Sequence, residues 1–203
     1  IKGFSTVQRR KFPNGAGWYD SDTFTYRKIR SKDFENLKYC TDLIALDVGH
    51  CTKIGDIDFI ATLPKLKILD ISLCDLTDIS VLADQTKLEF LEMNYNYLTD
   101  ISPLASCKKL KYVNLNNNNL TSYDALLELP DLERLWISCS GLSDDQLAEM
   151  IEKLTALRPN LTIKASQSNR EYAMSYWRKD NPGYLEMQAL FGLRAQNQGS
   201  KED

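Results

Sequence analysis

The stretch LKILDIS begins at Leu66, and similar stretches, LEFLEMN, LKYVNLN and LERLWIS, begin at Leu88, Leu110 and Leu132. Each start lies 22 residues after the one before, and an imperfect earlier copy, LIALDVG, begins at Leu43. A fixed period of this length is typical of a solenoid, in which each unit buries its apolar face only by stacking on its neighbours. The repeat therefore favours an extended binding scaffold over an enzyme with a catalytic cleft.

The third unit, Leu88 to Lys109, shows how one repeat is organised. Leu91 and Met93 are two positions apart in a strand-like segment, so their side chains point to the same side. Asn96 follows where the chain leaves the strand, and its amide can bond turn backbone groups that lack strand partners. A short helical turn is predicted on the outer side, with Ser102 as its cap and Pro103 as its first helical residue. Apolar residues at helix-like spacing return to the interior: Leu98, Ile101 and Leu104.

The motif L-x-x-L-x-L-x-x-N-x-L-T-D-I-S-P-L, complete from Leu88 to Leu104, resembles the 22-residue leucine-rich repeat of internalin-like bacterial proteins. The resemblance extends from Leu43 to about Leu154. It implies an α/β fold: a leucine-rich repeat solenoid with a curved parallel β-sheet, short helical or 3-10 turns on the convex side, and capping segments at both ends. It also implies a surface or secreted adhesin that binds proteins on its concave sheet. The Asn position departs from the pattern at Cys51, Cys74 and Ser140.

Both ends of the solenoid need caps, because an open solenoid exposes its apolar interior. We expect residues 1–42 to form an N-terminal cap with a degenerate repeat, residues 43–164 the solenoid, and residues 165–203 a C-terminal helical cap with a frayed tail. Phe24 and Tyr26 are the candidates for the first edge strand. The segment from Phe12 to Asp22 contains Asn-Gly and is typical of a loop or hairpin.

The fifth unit replaces the short turn with a longer amphipathic helix. Ser143 and Gln146 resemble a capping box at its start. Its apolar residues follow helical spacing: Leu147, Ile151, Leu154 and Leu157. A last strand is expected from Leu161 to Lys164. Beyond it, helices interrupted at Asn181-Pro182-Gly183 are predicted to cap that strand.

The residues between the leucines of each strand are predicted to face the concave side. Equivalent side chains on neighbouring strands stack about 4.8 Å apart. The fifth position gives a column of three carboxylates, an amide and an indole: Asp47, Asp70, Glu92, Asn114 and Trp136. Other strand positions add Phe90, Tyr112, Arg134, Asn94 and Tyr95. We predict that these ten residues form the partner-binding surface.

The carboxylate column indicates the chemistry of the partner. Two like charges about 5 Å apart repel by roughly 1 kcal/mol in water and by about 3 kcal/mol at an effective dielectric constant of 20. A partner that excludes water from the column must therefore bring Lys, Arg or another cation. We expect a protein or peptide with basic residues, anchored beside the aromatic rings that dominate binding hot spots. The alternative is that these side chains only fill gaps on the sheet.

Catalytic and cofactor chemistry has little support in the sequence. His50 is the only histidine, and it falls at the rim of the first unit, so any Ser-His or Cys-His nucleophile would depend on it. HExxH, Walker and GxSxG patterns are absent. Calcium would find oxygen ligands but no EF-hand-like loop, and the five cysteines contain no CxxC pair. We predict no catalytic residue, no metal and no cofactor.

Charge and hydropathy narrow the partner classes. The net charge of −3 argues against a nucleic-acid binder. No apolar run approaches the roughly 18 residues of a membrane span. No signal peptide is present, but the chain begins at Ile1 rather than Met, so this says little about the compartment.

We therefore expect a monomeric, non-catalytic interaction module that binds protein or peptide on its concave sheet. The resemblance implies an extracellular or cell-surface location in a bacterium. Two alternatives remain open. The first is the recognition domain of a larger enzyme or adhesin. The second is a cytoplasmic regulatory scaffold similar to eukaryotic phosphatase-regulating repeat proteins, with which reduced cysteines agree.

Overall fold

The computed structural model describes residues 2–5, 9–11, 18–20, 29–167 and 181–190. Seven three-residue strands form one curved, unclosed parallel sheet in the order β1-β4-β5-β6-β7-β8-β9, and β2 and β3 form a separate hairpin. The strands are β1 Gly3–Ser5, β2 Arg9–Lys11, β3 Trp18–Asp20, β4 Ala45–Asp47, β5 Ile68–Asp70, β6 Phe90–Glu92, β7 Tyr112–Asn114, β8 Arg134–Trp136 and β9 Thr162–Lys164. The predicted leucine-rich repeat solenoid is confirmed.

Short helical segments connect the strands on the convex side, as predicted. Four are 3-10 helices: Ser31–Tyr39, Asp58–Thr62, Ser80–Asp84 and Ser102–Ser106. Two are α-helices, α1 Asp124–Leu127 and α2 Asp144–Leu157. A third α-helix, α3 Pro182–Leu190, follows the sheet. Each repeat thus returns to the same parallel sheet through a short outer segment.

The interior between sheet and helices contains the consensus leucines. Leu88, Leu91 and Met93 have no exposed surface, and the equivalent residues of neighbouring units are equally buried. Asn96 lines the turn after β6, where its Nδ2 donates to the backbone carbonyls of Ile71 at 3.0 Å and Met93 at 2.9 Å. The predicted role of this asparagine in binding turn backbone groups is confirmed.

The eighth residue of every unit has a left-handed backbone, because the chain turns sharply as it leaves the strand. The φ angles lie between 49° and 64° at His50, Leu73, Tyr95, Asn117 and Cys139. Asparagine tolerates this region better than other non-glycine residues, and branched apolar side chains tolerate it poorly. Leu73 is therefore in an unfavourable conformation that the surrounding turn imposes.

The starts of the outer helices are held by a residue two positions earlier. The N–H of Ser102 donates to Asp100 Oδ1 at 2.7 Å, and the N–H of Ser80 donates to Asp78 Oδ1 at the same distance. The sequence predicted Ser102 itself as the cap. Asp100 has this role instead, because its side chain reaches the backbone N–H groups that the first helical turn leaves without partners.

The N-terminal edge of the sheet differs from the prediction. Strand β1 pairs in parallel with β4, so that Gly3–Ser5 stands where an edge strand near Phe24 and Tyr26 was expected. Residues 24 and 26 lie outside the described residues. A loop or hairpin was predicted from Phe12 to Asp22, and β2 pairs antiparallel with β3 across it, from Arg9–Asp20 to Lys11–Trp18. Residues 12–17 and 21–22 lie outside the described residues.

The C-terminal unit follows the prediction except for one face of its helix. Ser143 and Gln146 form the capping box, with backbone-to-side-chain bonds of 3.0 and 3.2 Å in the two directions. Met150 is fully buried, whereas Ile151 is 38% exposed and Leu157 is 61% exposed. The helix is therefore rotated from the predicted apolar stripe, which placed Ile151 and Leu157 in the interior.

Candidate functional site

The concave side of the sheet carries an apolar cluster that is separate from the leucine interior. It contains Ala45, Ile68, Phe90, Tyr112, Trp136 and Tyr184. The first five belong to strands β4 to β8, and Tyr184 belongs to α3. The sheet therefore has an apolar layer on each side. A sheet whose concave face was open to water would need an apolar layer only on the side of the leucine interior.

Helix α3 lies against the middle of the concave face. Tyr184 is only 5% exposed, and Asn181, just before the helix, is fully buried. A Cβ atom placed on Gly183 would lie 2.4 Å from Cδ2 of Phe90 and 3.0 Å from Cδ2 of Tyr112. The sequence predicted that this segment caps the last strand. The described helix instead contacts β6 and β7.

The predicted alignment of the concave columns is confirmed. Asp47, Asp70, Glu92, Asn114 and Trp136 are successive partners in the parallel register. Ile68, Phe90, Tyr112 and Arg134 form the second aligned row.

Most residues of these columns are buried rather than open to water. Eight of the ten predicted residues are between 0 and 8% exposed: Asp47, Asp70, Phe90, Glu92, Asn94, Tyr112, Asn114 and Trp136. Tyr95 and Arg134 are half-buried. The physical reason is that the solenoid pattern shows which side a residue faces, but not what packs on that side.

The buried carboxylates are stabilised by hydrogen bonds from the chain itself. Asp47 accepts from the hydroxyl of Ser5 at 3.0 Å and from the N–H of Gly49 at 3.1 Å. Asp70 Oδ1 accepts from both the N–H and the hydroxyl of Ser72, at 3.0 and 2.5 Å. Donors of this kind favour the ionised carboxylate and offset part of its desolvation.

Three asparagines beside the carboxylates have unused hydrogen-bonding capacity. Within the described ranges, the buried atoms without a hydrogen-bond partner include Oδ1 of Asn94, Nδ2 of Asn114 and Oδ1 of Asn116. A buried polar group left unsatisfied costs about 1–3 kcal/mol. The concave face thus holds polar groups that a bound polar group or a water molecule would stabilise.

The polar ends of two concave aromatic residues are fixed. The Tyr112 hydroxyl donates to Glu133 Oε2 at 2.9 Å, and Trp136 Nε1 donates to the Ser138 hydroxyl at 3.1 Å. Burial, followed by the bond to Glu133, raises the pKa of Tyr112 to about 12. These bonds hold the rings in place, so that the sheet presents a preorganised aromatic surface.

Sequence reasoning missed Tyr184 and Gly183 as members of this site. One signal was present, because the third strand position is apolar or aromatic in four successive units: Ala45, Ile68, Phe90 and Tyr112. Such a column is unusual on a face open to water and indicates a cover. No repeat period reaches α3, so nothing in the pattern identified the covering segment.

The part of the chain that the structure describes contains no group of three or more His, Cys, Asp or Glu residues arranged to hold a metal ion. Its helices are also too short or too polar to cross a bilayer. His50 is half-buried at the rim with a φ of 64°. All five cysteines are free thiols.

Comparisons with known proteins agree with this architecture. A family profile described as "Leucine Rich repeats (2 copies)" matches residues 64–106 and 86–127. No curated protein matches the sequence. Among solved structures, an internalin C2 from Listeria monocytogenes is 26% identical, with a TM-score of 0.52, and the match covers 68% of this chain and 70% of that one.

Two further solved structures match with lower TM-scores. An internalin, InlF, from Listeria monocytogenes is 25% identical with a TM-score of 0.49, over 66% of this chain and 44% of that one. A leucine-rich repeat protein of Leptospira interrogans is 16% identical with a TM-score of 0.46, over 63% of this chain and 38% of that one. The chain thus spans less than half the length of these two proteins.

Proposed function

Because this chain is an internalin-like leucine-rich repeat protein, we propose that it is a non-catalytic module that binds a protein or peptide partner on its concave sheet. Leucine-rich repeat folds of this kind are in general protein-interaction modules. The observation that carries the proposal is the separate cluster of Phe90, Tyr112 and Trp136 on the concave side. The solenoid interior does not need these rings, and large rigid aromatic residues are the most frequent anchors of binding hot spots.

The partner contacts proposed on this face are the ten residues of the aligned columns. Their burial means that binding requires the covering helix to move away from β6 and β7. A partner with basic residues would then meet Asp47, Asp70 and Glu92. Its positive charge would pair with these carboxylates, while the aromatic rings provide the apolar contact.

The proposal includes a monomeric protein that is secreted or attached to the surface of a bacterium. Its support is the 26% identity to an internalin C2 over 68% of this chain. Fractionation of the source cells, with antibody detection in medium, envelope and cytoplasm, tests the location. Light scattering of the purified chain tests the monomeric state.

A peptide-display selection on the immobilised full chain tests the binding proposal, because a random library samples many partner chemistries at once. Peptides that bind the wild type are then measured against Trp136→Leu and against Tyr97→Ala. Tyr97 is a matched control because it is an aromatic residue near the same rim but 56% exposed.

We expect Trp136→Leu to weaken binding by at least about tenfold, as for a hot-spot residue, and Tyr97→Ala to change it by less than about threefold. Circular dichroism confirms that both variants are folded. Selected peptides that bind Trp136→Leu as tightly as the wild type, or that bind the convex side, would contradict the proposal.

A further inference from the structure

We infer that the concave face at β6 and β7 is a groove for a short helix that carries a glycine followed by an aromatic residue. Helix α3 is the chain's own occupant of this groove. The inference rests on the proposed function and deepens it: the partner presents a helix of the same chemistry and must displace α3. The groove therefore has a defined ligand type and a built-in competitor.

The first support is the fit of Gly183 between two rings of the sheet. Any side chain at this position would place its Cβ 2.4 Å from Phe90 and 3.0 Å from Tyr112. Contacts this short require one of the partners to shift. Phe90 is fully buried in the sheet and cannot shift easily. A helix therefore docks at this depth only with glycine at the point of closest approach.

The second support is the two-sided character of α3. Tyr184 joins the concave cluster and is 5% exposed, and Leu190 packs against the same cluster at the other end of the helix. Leu185 is 45% exposed, and Glu186 and Ala189 face solvent. One side of the helix thus contacts the groove and the other remains wet, which is the geometry of helix-in-groove recognition.

The third support is that α3 depends on the groove for its order. It has nine residues, and helices shorter than about 12–15 residues are marginal in water on their own. Asn181 Oδ1 accepts from the N–H of Gly183 at 3.1 Å, which starts the helix above the rings. A helix of this length therefore depends on its contacts with the groove, where Tyr184 is buried, to stay ordered.

The fourth support is electrostatic and concerns the charge on a helix that fits the groove. Lys67 at the edge of the groove donates to Glu89 Oε1 at 2.8 Å, and this bond raises the pKa of Lys67. The charge of Glu186, two residues after Tyr184, acts in the same direction. A partner helix with an acidic residue two positions after its aromatic residue would reproduce this attraction.

The consequence is a lowered apparent affinity for any partner. A partner binds only the fraction of molecules from which α3 has left, so its apparent dissociation constant rises by the inverse of that fraction. Loosening α3 should therefore increase binding without any change to the groove.

The test uses full-length Gly183→Val, because the added side chain cannot fit against Phe90 and so releases the helix. Ala189→Val is the matched control, since it adds the same side-chain type at an exposed position of the same helix. The probe is a fluorescein-labelled peptide with the sequence of residues 181–190, NPGYLEMQAL. Fluorescence anisotropy measures its binding, and hydrogen exchange reports whether α3 is protected.

We expect Gly183→Val to bind the peptide at least tenfold more tightly than the wild type or Ala189→Val does. The amides of residues 184–190 should lose protection in Gly183→Val while the amides of β6 and β7 keep theirs. A peptide with Tyr184→Ala should bind at least tenfold more weakly. Full-length Tyr184→Ser provides a second way to loosen the helix if Gly183→Val does not fold.

Unchanged protection of residues 184–190 in both folded variants would overturn the assignment of α3 as a displaceable occupant. Loss of protection at residues 184–190 without binding of the peptide would show that the concave face is not a groove for such a helix. Neither measurement involves an outside partner. If the peptide binds but no selected ligand depends on Trp136, the proposed function fails while the groove for α3 stands.

Discussion

The side-chain carbonyl of Asn96 accepts a hydrogen bond of 3.1 Å from the backbone N–H of Cys74, which occupies the same position one repeat earlier. The same oxygen accepts from the N–H of Leu76 at 3.0 Å. Together with the two bonds that its Nδ2 donates, Asn96 satisfies four backbone groups of two neighbouring turns. One amide thus joins adjacent repeats in the turns that follow β5 and β6.

Replacing Asn96 with alanine should destabilise the solenoid by about 2–4 kcal/mol, because buried backbone groups would lose their partners without access to water. Urea unfolding followed by circular dichroism measures this change. Asn119→Ala is the control: Asn119 is exposed, and we expect an effect within about 0.5 kcal/mol. Equal effects of the two substitutions would contradict the role of the amide.

Thiol labelling of the native protein should divide the cysteines into two groups. Cys40 and Cys139 are half-buried and should react with a thiol reagent within minutes, whereas Cys51, Cys74 and Cys107 are buried and should react only on unfolding. Burial also raises the pKa of Cys74 well above 9.0, so the reactive thiolate is scarce there. Mass spectrometry after brief labelling identifies the modified residues, and Cys139→Ser should remove one fast site.

Alkaline pH should weaken the fold through Cys107. Burial raises the pKa of this thiol from 9.0 to about 11, so the folded chain holds the proton more tightly than the unfolded chain does. The stabilisation is complete below pH 9 and is lost as the pH rises from 9 to 11. Two pKa units correspond to roughly 2–3 kcal/mol.

Cys107→Ala separates this effect from other titrations. Its free energy of unfolding, measured in urea from pH 8 to pH 11, should fall less steeply than that of the wild type. Tyr112, with its pKa raised to about 12, should add a further decrease above pH 10 in both proteins. Parallel pH profiles of the two proteins would rule out Cys107 as the cause.

Replacing Leu73 with asparagine should stabilise the protein by about 0.5–1 kcal/mol. Leu73 has a φ of 55°, and Asn117 has a φ of 54° at the same position two units later, so the substitution relieves strain where the backbone geometry already suits asparagine. Thermal unfolding measures the gain. Lys87→Asn is the control: at an exposed position with ordinary backbone geometry, it should not raise the melting temperature. A lower melting temperature for Leu73→Asn would contradict the proposed backbone strain at Leu73.

The repeat made most of the solenoid predictable, and the exceptions have a physical reason. Strands β5 to β8 follow directly from the 22-residue period. Strand β1 could not be found in this way, because Gly3–Ser5 lies outside the repeats and is separated from its sheet neighbour β4 by the β2–β3 hairpin and a 3-10 helix. Phe4 packs against Phe34, with 6.5 Å between the ring centroids.

The candidate site was predictable in its alignment but not in its environment. Periodicity placed Asp70, Glu92 and Tyr112 on one side of adjacent strands, and the register agrees. Whether water or protein covers them depends on a contact between α3 and β6, which lie about 90 residues apart in the sequence. Packing such as that of Gly183 on Phe90 decides it, and no local pattern encodes this contact.

Because both sides of the sheet are buried, its strand register is maintained differently from that of a sheet with one side in water. Slippage by one residue normally moves an apolar set into water, but in β6 both Phe90 and Leu91 are fully buried, on opposite sides of the sheet. Loss of apolar burial therefore does not oppose such a shift, whereas the entry of the Glu92 carboxylate into the leucine interior does. The strand register then also depends on polar groups that match between neighbouring units at a single spacing, such as the Asn96 amide with the carbonyl of Ile71 and the N–H of Cys74. In this protein the asparagines thus fix the relative alignment of repeats that the leucines pack together.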